Sequence, residues 1–190
     1  MGIKYLEGYK DPHENTTMTL GEPSQNMGAN DKKGETQVLV LEDDIRFEPN
    51  FTSNALHILK QIRELPNWDF LYFGRMILSS QKEFTVHGIE NIVSVDYSYW
   101  TIGYAITLEG AKKLVNAKPL KSLLPVDEYI PIMYDRHPNK TWSNVFPNRN
   151  LSAYSASPLL LYPQLYGGEP GFISDTEYSE IINTKDNCIF

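Results

Sequence analysis

Val38-Leu39-Val40-Leu41-Glu42-Asp43-Asp44 is the stretch on which the fold turns, because its apolar run leads straight into consecutive carboxylates. A short continuous apolar run without alternation predicts a strand buried on both faces, the kind found inside a parallel sheet. Open α/β sheets place their ligands just beyond the carboxyl ends of such strands. Adjacent carboxylates at that point repel one another unless a cation or hydrogen-bond donors offset the charge. A hard cation such as Mg²⁺ or Mn²⁺ takes oxygen ligands and often bridges one or two carboxylates to a substrate phosphate. The same trio also suits an acidic turn opening the next helix, since carboxylates favour a helix start.

Downstream, Pro49 precedes a predicted helix over 51–65, with Leu56, Ile58, Leu59, Ile62 and Leu65 at helical spacing and Pro66 as its end. Trp68–Phe73 reads as a second buried strand closed by Gly74, and 77–90 as a polar loop. Ile92–Val95 and Thr101–Ile106 are two more strands. Thr107 suits the cap of the following helix, with Leu108, Ala111, Leu114 and Val115 expected to face inward. A connector from Pro119 to Pro125 leads to a short helix over Val126–Tyr134, and Pro158–Pro163 is a last extended segment. Upstream, residues 1–36 are poor in apolar periodicity, and Gly21 to Gly34 reads as a loop or disordered arm. The expected organisation is an arm over 1–36, one domain over 37–183 and a tail over 184–190. Strands alternating with helices indicate an α/β layer fold. No internal repeat or low-complexity tract is evident.

At 190 residues, with 41% hydrophobic and 22% charged content, the chain has the size and composition of one globular domain. A net charge of −7 argues against nucleic-acid binding, which calls for a basic face. Aromatic residues are plentiful (12 Tyr, 8 Phe, 3 Trp) and suit either core packing or a ring-lined cleft. The single cysteine, Cys188, excludes an internal disulfide framework and a cysteine-rich zinc site. No stretch reaches membrane-spanning length, and the N-terminus carries no signal-peptide core. Glycan acceptor sequons at Asn15, Asn50, Asn139 and Asn150 nevertheless point to the secretory pathway.

Three acidic groups are candidates for chemistry. Transfer of a sugar from a nucleotide diphosphate needs charge neutralisation on the departing diphosphate, which a metal supplies as Lewis acid and template. Glu42, Asp43 and Asp44 offer oxygen ligands for it, with one of the trio free to bind the ribose or a backbone amide instead. The attacking hydroxyl needs a base. Asp127-Glu128, flanked by apolar residues, are candidates because partial burial raises a carboxyl toward a useful pKa; they also suit plain helix N-terminal stabilisation. Asp175 and Glu177 follow the glycine-rich turn Tyr166–Gly171 and share a face of an extended segment; an exposed loop is the alternative. His13, His57, His87 and His137 show no metal-ligand spacing. His57 falls on the solvated face of its helix, and His137 is the histidine to watch for substrate contact. Tyr97, Tyr99 and Trp100 cluster between two strands, as core or as a stacking platform. No nucleophilic Ser or Cys arrangement and no phosphate-cradling glycine motif is present.

Taken in order, VLVLEDDIRFE (38–48), DFLYFGR (69–75), DYSYWTIGYAITLEGAKKL (96–114), LPVDEYIPIMYDRHP (124–138) and LLLYPQLYGGEPGFISDTE (159–177) resemble the procollagen galactosyltransferases of glycosyltransferase family 25. The resemblance runs from residue 37 to about 180 and extends to bacterial lipooligosaccharide galactosyltransferases. It implies an A-type glycosyltransferase fold, a Rossmann-like mixed sheet flanked by helices, in the endoplasmic reticulum lumen. It implies UDP-galactose as donor, Mn²⁺ as cofactor, collagen hydroxylysine as acceptor and inversion at the sugar carbon. Glu42-Asp43-Asp44 stands where the family carries its metal-binding acidic motif. Glu42 and Asp43, with Asp175 and Glu177, are the expected donor-binding residues; Asp127 or Glu128 is the expected base.

The pattern departs from the family after Met18-Thr19-Leu20-Gly21-Glu22. A Gly-Cys-x-x-Ser-His segment and a helix are expected there, yet the chain reads Pro23-Ser24-Gln25-Asn26-Met27-Gly28-Ala29-Asn30. An opening strand, a signal peptide and a basic retention tail are missing too, so the expectation is an N-terminally truncated member. A different class of function stays open beside the enzyme: a catalytically silent homologue with an adhesive or binding role.

Overall fold

Every second side chain of a strand points to the same face, and in Phe70–Ile77 both faces are apolar, which requires cover on both sides. The computed structural model provides it; it describes residues 7–10, 17–19, 37–122 and 124–164. In chain order the elements are β1 (Glu7–Lys10), β2 (Thr17–Thr19), β3 (Gln37–Leu41), β4 (Ile45–Phe47), α1 (Phe51–Ile62), β5 (Phe70–Ile77), β6 (Ile92–Ser94), β7 (Ser98–Thr107), α2 (Leu108–Asn116), a 3-10 turn (Pro119–Lys121), α3 (Val126–Met133), α4 (Lys140–Ser143), β8 (Ala153–Ala156) and β9 (Leu161–Pro163). The main sheet has five strands in the order β3-β7-β5-β8-β6, with β5 and β8 parallel and the other neighbours antiparallel. β4 pairs antiparallel with β9, and β1 with β2.

Leu71 and Phe73 of β5 meet Phe51, Ala55, Ile58, Leu59 and Ile62 of α1 in one buried cluster. Phe70 and Tyr72, on the opposite face, meet Tyr129, Ile130, Ile132 and Met133 of α3, with Ala111 and Leu114 of α2 packed alongside. Helices thus cover both faces of a mixed sheet, the α/β layering expected of an A-type glycosyltransferase.

Several expectations change. β3 is a strand, but among the described residues it is an edge strand, antiparallel to β7, rather than a strand buried on both faces of a parallel sheet. Only Leu39 is buried, and Val38 is 39% exposed. A continuous apolar run fixes the extended state but carries no count of neighbouring strands. In α1 the buried stripe begins at Phe51 and Ala55, which leaves Leu56 exposed, and the helix ends at Ile62, short of Leu65. In α2 the Thr107 cap is as expected, its hydroxyl oxygen accepting from Gly110 N at 3.0 Å. Leu108 and Val115 are exposed instead of facing inward. The reason is Gly110: a side chain there would meet Asp69 O at 2.6 Å, so the helix rests closely on β5's start through that residue. Lys113 Nζ pairs with Asp69 Oδ2 at 2.5 Å and holds it there. β5 does not stop at Gly74 but runs on to Ile77. β4, β8 and α4 have no counterpart in the sequence reading.

Gly74 sits where β9 crosses β5. A Cβ on it would lie 2.6 Å from Leu161 O and 2.8 Å from Leu161 Cβ. On Gly103 the nearest atoms would be the side-chain tips of Leu161 and Leu41, the ends of flexible side chains rather than backbone. Gly74→Ala should therefore lower stability by about 1–3 kcal/mol, read as a fall in the urea midpoint, and Gly103→Ala by less. Equal losses at the two glycines would contradict the close backbone crossing.

Candidate functional site

At the end of β3 the backbone is held on two sides. Glu42 N donates to Ile102 O of β7 at 3.0 Å, one step beyond the β3–β7 ladder. Gln164 N donates to Asp44 O at 2.7 Å, where β4 begins its pairing with β9. Between these anchors the chain turns, and Glu42, Asp43 and Asp44 all reach the surface. Thr101 Oγ1 of β7 donates to Glu42 Oε1 at 3.1 Å. Partial desolvation of the Glu42 carboxyl raises its pKa first; the Thr101 bond opposes the rise, and the charges of Asp44 and Asp43 add to it.

Asp127 and Glu128 stand in the first turn of α3, and the Asp127 carboxyl lies near Glu42 and Thr101. The two adjacent acids go to different environments. Asp127 is half-buried, and its Oδ1 is shut off from solvent with no hydrogen-bond partner among the described residues. Burial pushes its pKa up to about 6; the charge of Glu42 adds, the Thr101 hydroxyl opposes, and Glu128 contributes a smaller rise. Glu42 and Asp127 are thus brought together across Thr101.

Glu128 turns inward and is 2% exposed. Its Oε2 meets His137 Nε2 at 2.6 Å and accepts from the Tyr97 hydroxyl at 3.2 Å. His137 Nδ1 accepts from Asn139 N at 3.0 Å. An imidazole nitrogen that accepts carries no proton, so the proton is on Nε2 and is donated to Glu128. The ring of His137 packs between Tyr97 and Trp142. His137, the histidine to watch for substrate contact, is 4% exposed and serves Glu128. His57 lies on the exposed face of α1, as expected. Tyr99 is pushed up to about 12 by burial, then by the charges of Glu128 and Asp127.

No His, Cys, Asp or Glu trio among the described residues could hold a metal ion by itself. The donors nevertheless fit a hard cation shared with a diphosphate. Asp43 and Asp44 are oxygen-only ligands on the surface, without a side-chain hydrogen bond or ion pair among the described residues, and such a cation needs only one or two carboxylates when phosphates complete its shell. Asp175, Glu177 and the glycine-rich turn lie outside the described residues. Two recesses of the described surface lie elsewhere. One of about 380 Å³ is lined by Thr85, Ile89, Ile92 and Ser157, and one of about 190 Å³ by Phe84, Tyr134, Arg136 and Tyr154. Glu42, Asp43 and Asp44 of the acid turn are exposed. Thr101 was not singled out from sequence; a lone hydroxyl heading the apolar run Thr101–Ile106 was its only signal.

Asp127→Asn should separate stability from chemistry. A carboxyl whose pKa is raised from 3.8 to about 6 weakens the folded state as pH rises. The loss is absent below pH 3.8, grows toward pH 6 and is complete above it. Asparagine keeps the shape and cannot ionise, so the variant should be more stable than wild type at pH 8, by up to about 3 kcal/mol, with the gap closing toward pH 4. Denaturant titrations at the two pH values check this; a variant less stable at pH 8 would contradict it.

The profile of glycosyltransferase family 25 (LPS biosynthesis protein) matches residues 31–130. A glycosyltransferase 25 family member of Drosophila melanogaster is 51% identical over 97% of this chain and 31% of its own length. Procollagen galactosyltransferase 1 of Danio rerio is 42% identical over 95% of the chain and 31% of its own length. Procollagen galactosyltransferase 2 of Homo sapiens is 40% identical over 95% and 30%. The chain spans about a third of the length of these curated relatives. By the extent of these matches, the chain belongs to glycosyltransferase family 25.

Proposed function

We propose that the chain transfers galactose from UDP-galactose to hydroxylysine of collagen, with a divalent metal and with inversion at the sugar carbon. The observation that carries this reading is the convergence of the acid turn and Asp127 across Thr101. A donor-side group and an acceptor-side group then share one surface. Asp43 and Asp44 would hold Mn²⁺, which when bound neutralises the diphosphate as it departs. Asp127, placed on the other side of Thr101, takes the proton of the acceptor hydroxyl. With its pKa at about 6, it is ionised at neutral pH and still basic enough to be useful. Glu128 is already engaged by His137 and Tyr97, so its part is to fix the first turn of α3. Collagen is the acceptor named by the relatives' own descriptions. A setting in the endoplasmic reticulum lumen belongs to the same proposal, and Asn50, Asn139 and Asn150 of the sequons are all exposed. No helix of the described residues is long and apolar enough to cross a membrane.

Calorimetric titration of UDP into the chain tests the donor side. Binding should require Mn²⁺, and Asp44→Asn should weaken it at least about tenfold, a loss of about 1.4 kcal/mol or more. Binding that ignores the metal, or none with metal present, would remove the transferase reading and favour the silent, adhesive one.

A further inference from the structure

Trp100 stands in the left-handed region, at φ 65°, inside β7. A bulky side chain is an outlier there, because its Cβ crowds the backbone. The ladder shows where the distortion arises. Gly74 faces Gly103 and Met76 faces Tyr99, so the path from 74 to 76 on β5 answers to the longer path from 103 to 99 on β7. Trp100, Thr101 and Ile102 together stand against Arg75 alone, a surplus of two residues that makes a bulge, a device that re-aims side chains beside functional sites. β3 ends against Gly103, and the next residue, Glu42, bonds to Ile102 O within that bulge. Thr101 is the middle residue of that stretch. Its Oγ1 lies 3.1 Å from Glu42 Oε1 and within reach of the Asp127 carboxyl. Trp100 is partly buried against the α1-side core, which pins the bulge in place.

We propose that Thr101 is a positioning residue for the transfer: raised on the bulge that Trp100 creates, its hydroxyl fixes the Asp127 and Glu42 side chains relative to each other. This rests on the transferase reading above. In the reaction the acceptor oxygen bonds to the sugar C1 as the C1–O bond to the diphosphate breaks, and Asp127 takes the acceptor proton. A threonine hydroxyl has one proton and two lone pairs. While it donates to Glu42, it accepts from Asp127 once that carboxyl is protonated, so both acids stay aligned through the step.

Thr101→Ala and Thr101→Ser both lose the methyl group and differ only in the hydroxyl, which separates alignment from packing. Galactose transfer from UDP-galactose to a hydroxylysine-containing collagen peptide is measured with Mn²⁺ on the full chain. Thr101→Ala should lower kcat roughly 10- to 100-fold with KM for the donor within about twofold, and Thr101→Ser should stay within about threefold of wild type. Equal kcat in the two variants, or a change confined to KM, overturns the role of Thr101 while the transferase reading stands. Absence of transfer by the wild-type chain removes that reading, and this role with it.

Discussion

Three carboxylates in a row just past the end of a strand repel one another, and the neighbouring strand holds them in a defined shape. Glu42 is tied to β7 twice, by its amide to Ile102 O and by its carboxyl to Thr101. Asp44 is tied to β9 through its carbonyl. These bonds use the backbone and one acid, so the carboxylates of Asp43 and Asp44 remain at the surface. Were the latch absent, the turn would be a charged loop without fixed geometry, and α3 would have nothing to face.

The second feature is the division of labour between adjacent acids. Asp127 and Glu128 differ by one position on a helix and by about a quarter turn, yet Asp127 is half-buried with one carboxyl oxygen unpaired among the described residues, while Glu128 is enclosed and bonded by His137 and Tyr97. Paired acids whose environments push them apart are the usual means by which carboxyl groups take separate roles. His137 and Tyr97 hydrogen-bond to the Glu128 carboxyl. Burial raises the Asp127 pKa, and the charges of Glu42 and, less, Glu128 add to it. The enclosure of His137 by Tyr97 and Trp142 protects the arrangement from solvent.

Much of this was legible in the sequence, and the rest was not for definite reasons. The apolar runs ending in Leu41 and Phe73 announced strands, and Thr107 announced a cap, because these signals are local. The edge position of β3 depends on how many strands pair with it, which no local pattern encodes. Leu108 and Val115 looked inward at helical spacing, but the close approach of Gly110 to Asp69 set which face of α2 rests on the sheet. β8, Ala153-Tyr154-Ser155-Ala156, lacks the β-branched run that marks a strand and is held by its pairing with β5 and β6. At the site, the acids were visible as acids. Which of them meet is decided by a bulge in β7, whose signature, a left-handed tryptophan, exists only in three dimensions.

The most direct test of the shared surface is a crystal structure of the chain with UDP and Mn²⁺. The ion should lie at the end of β3, bridging the diphosphate to Asp43 or Asp44, with the Asp127 carboxyl facing the β-phosphate side, where the sugar would stand. Nucleotide bound in the recess lined by Thr85 and Ser157, or Asp127 turned away from the diphosphate, would contradict it.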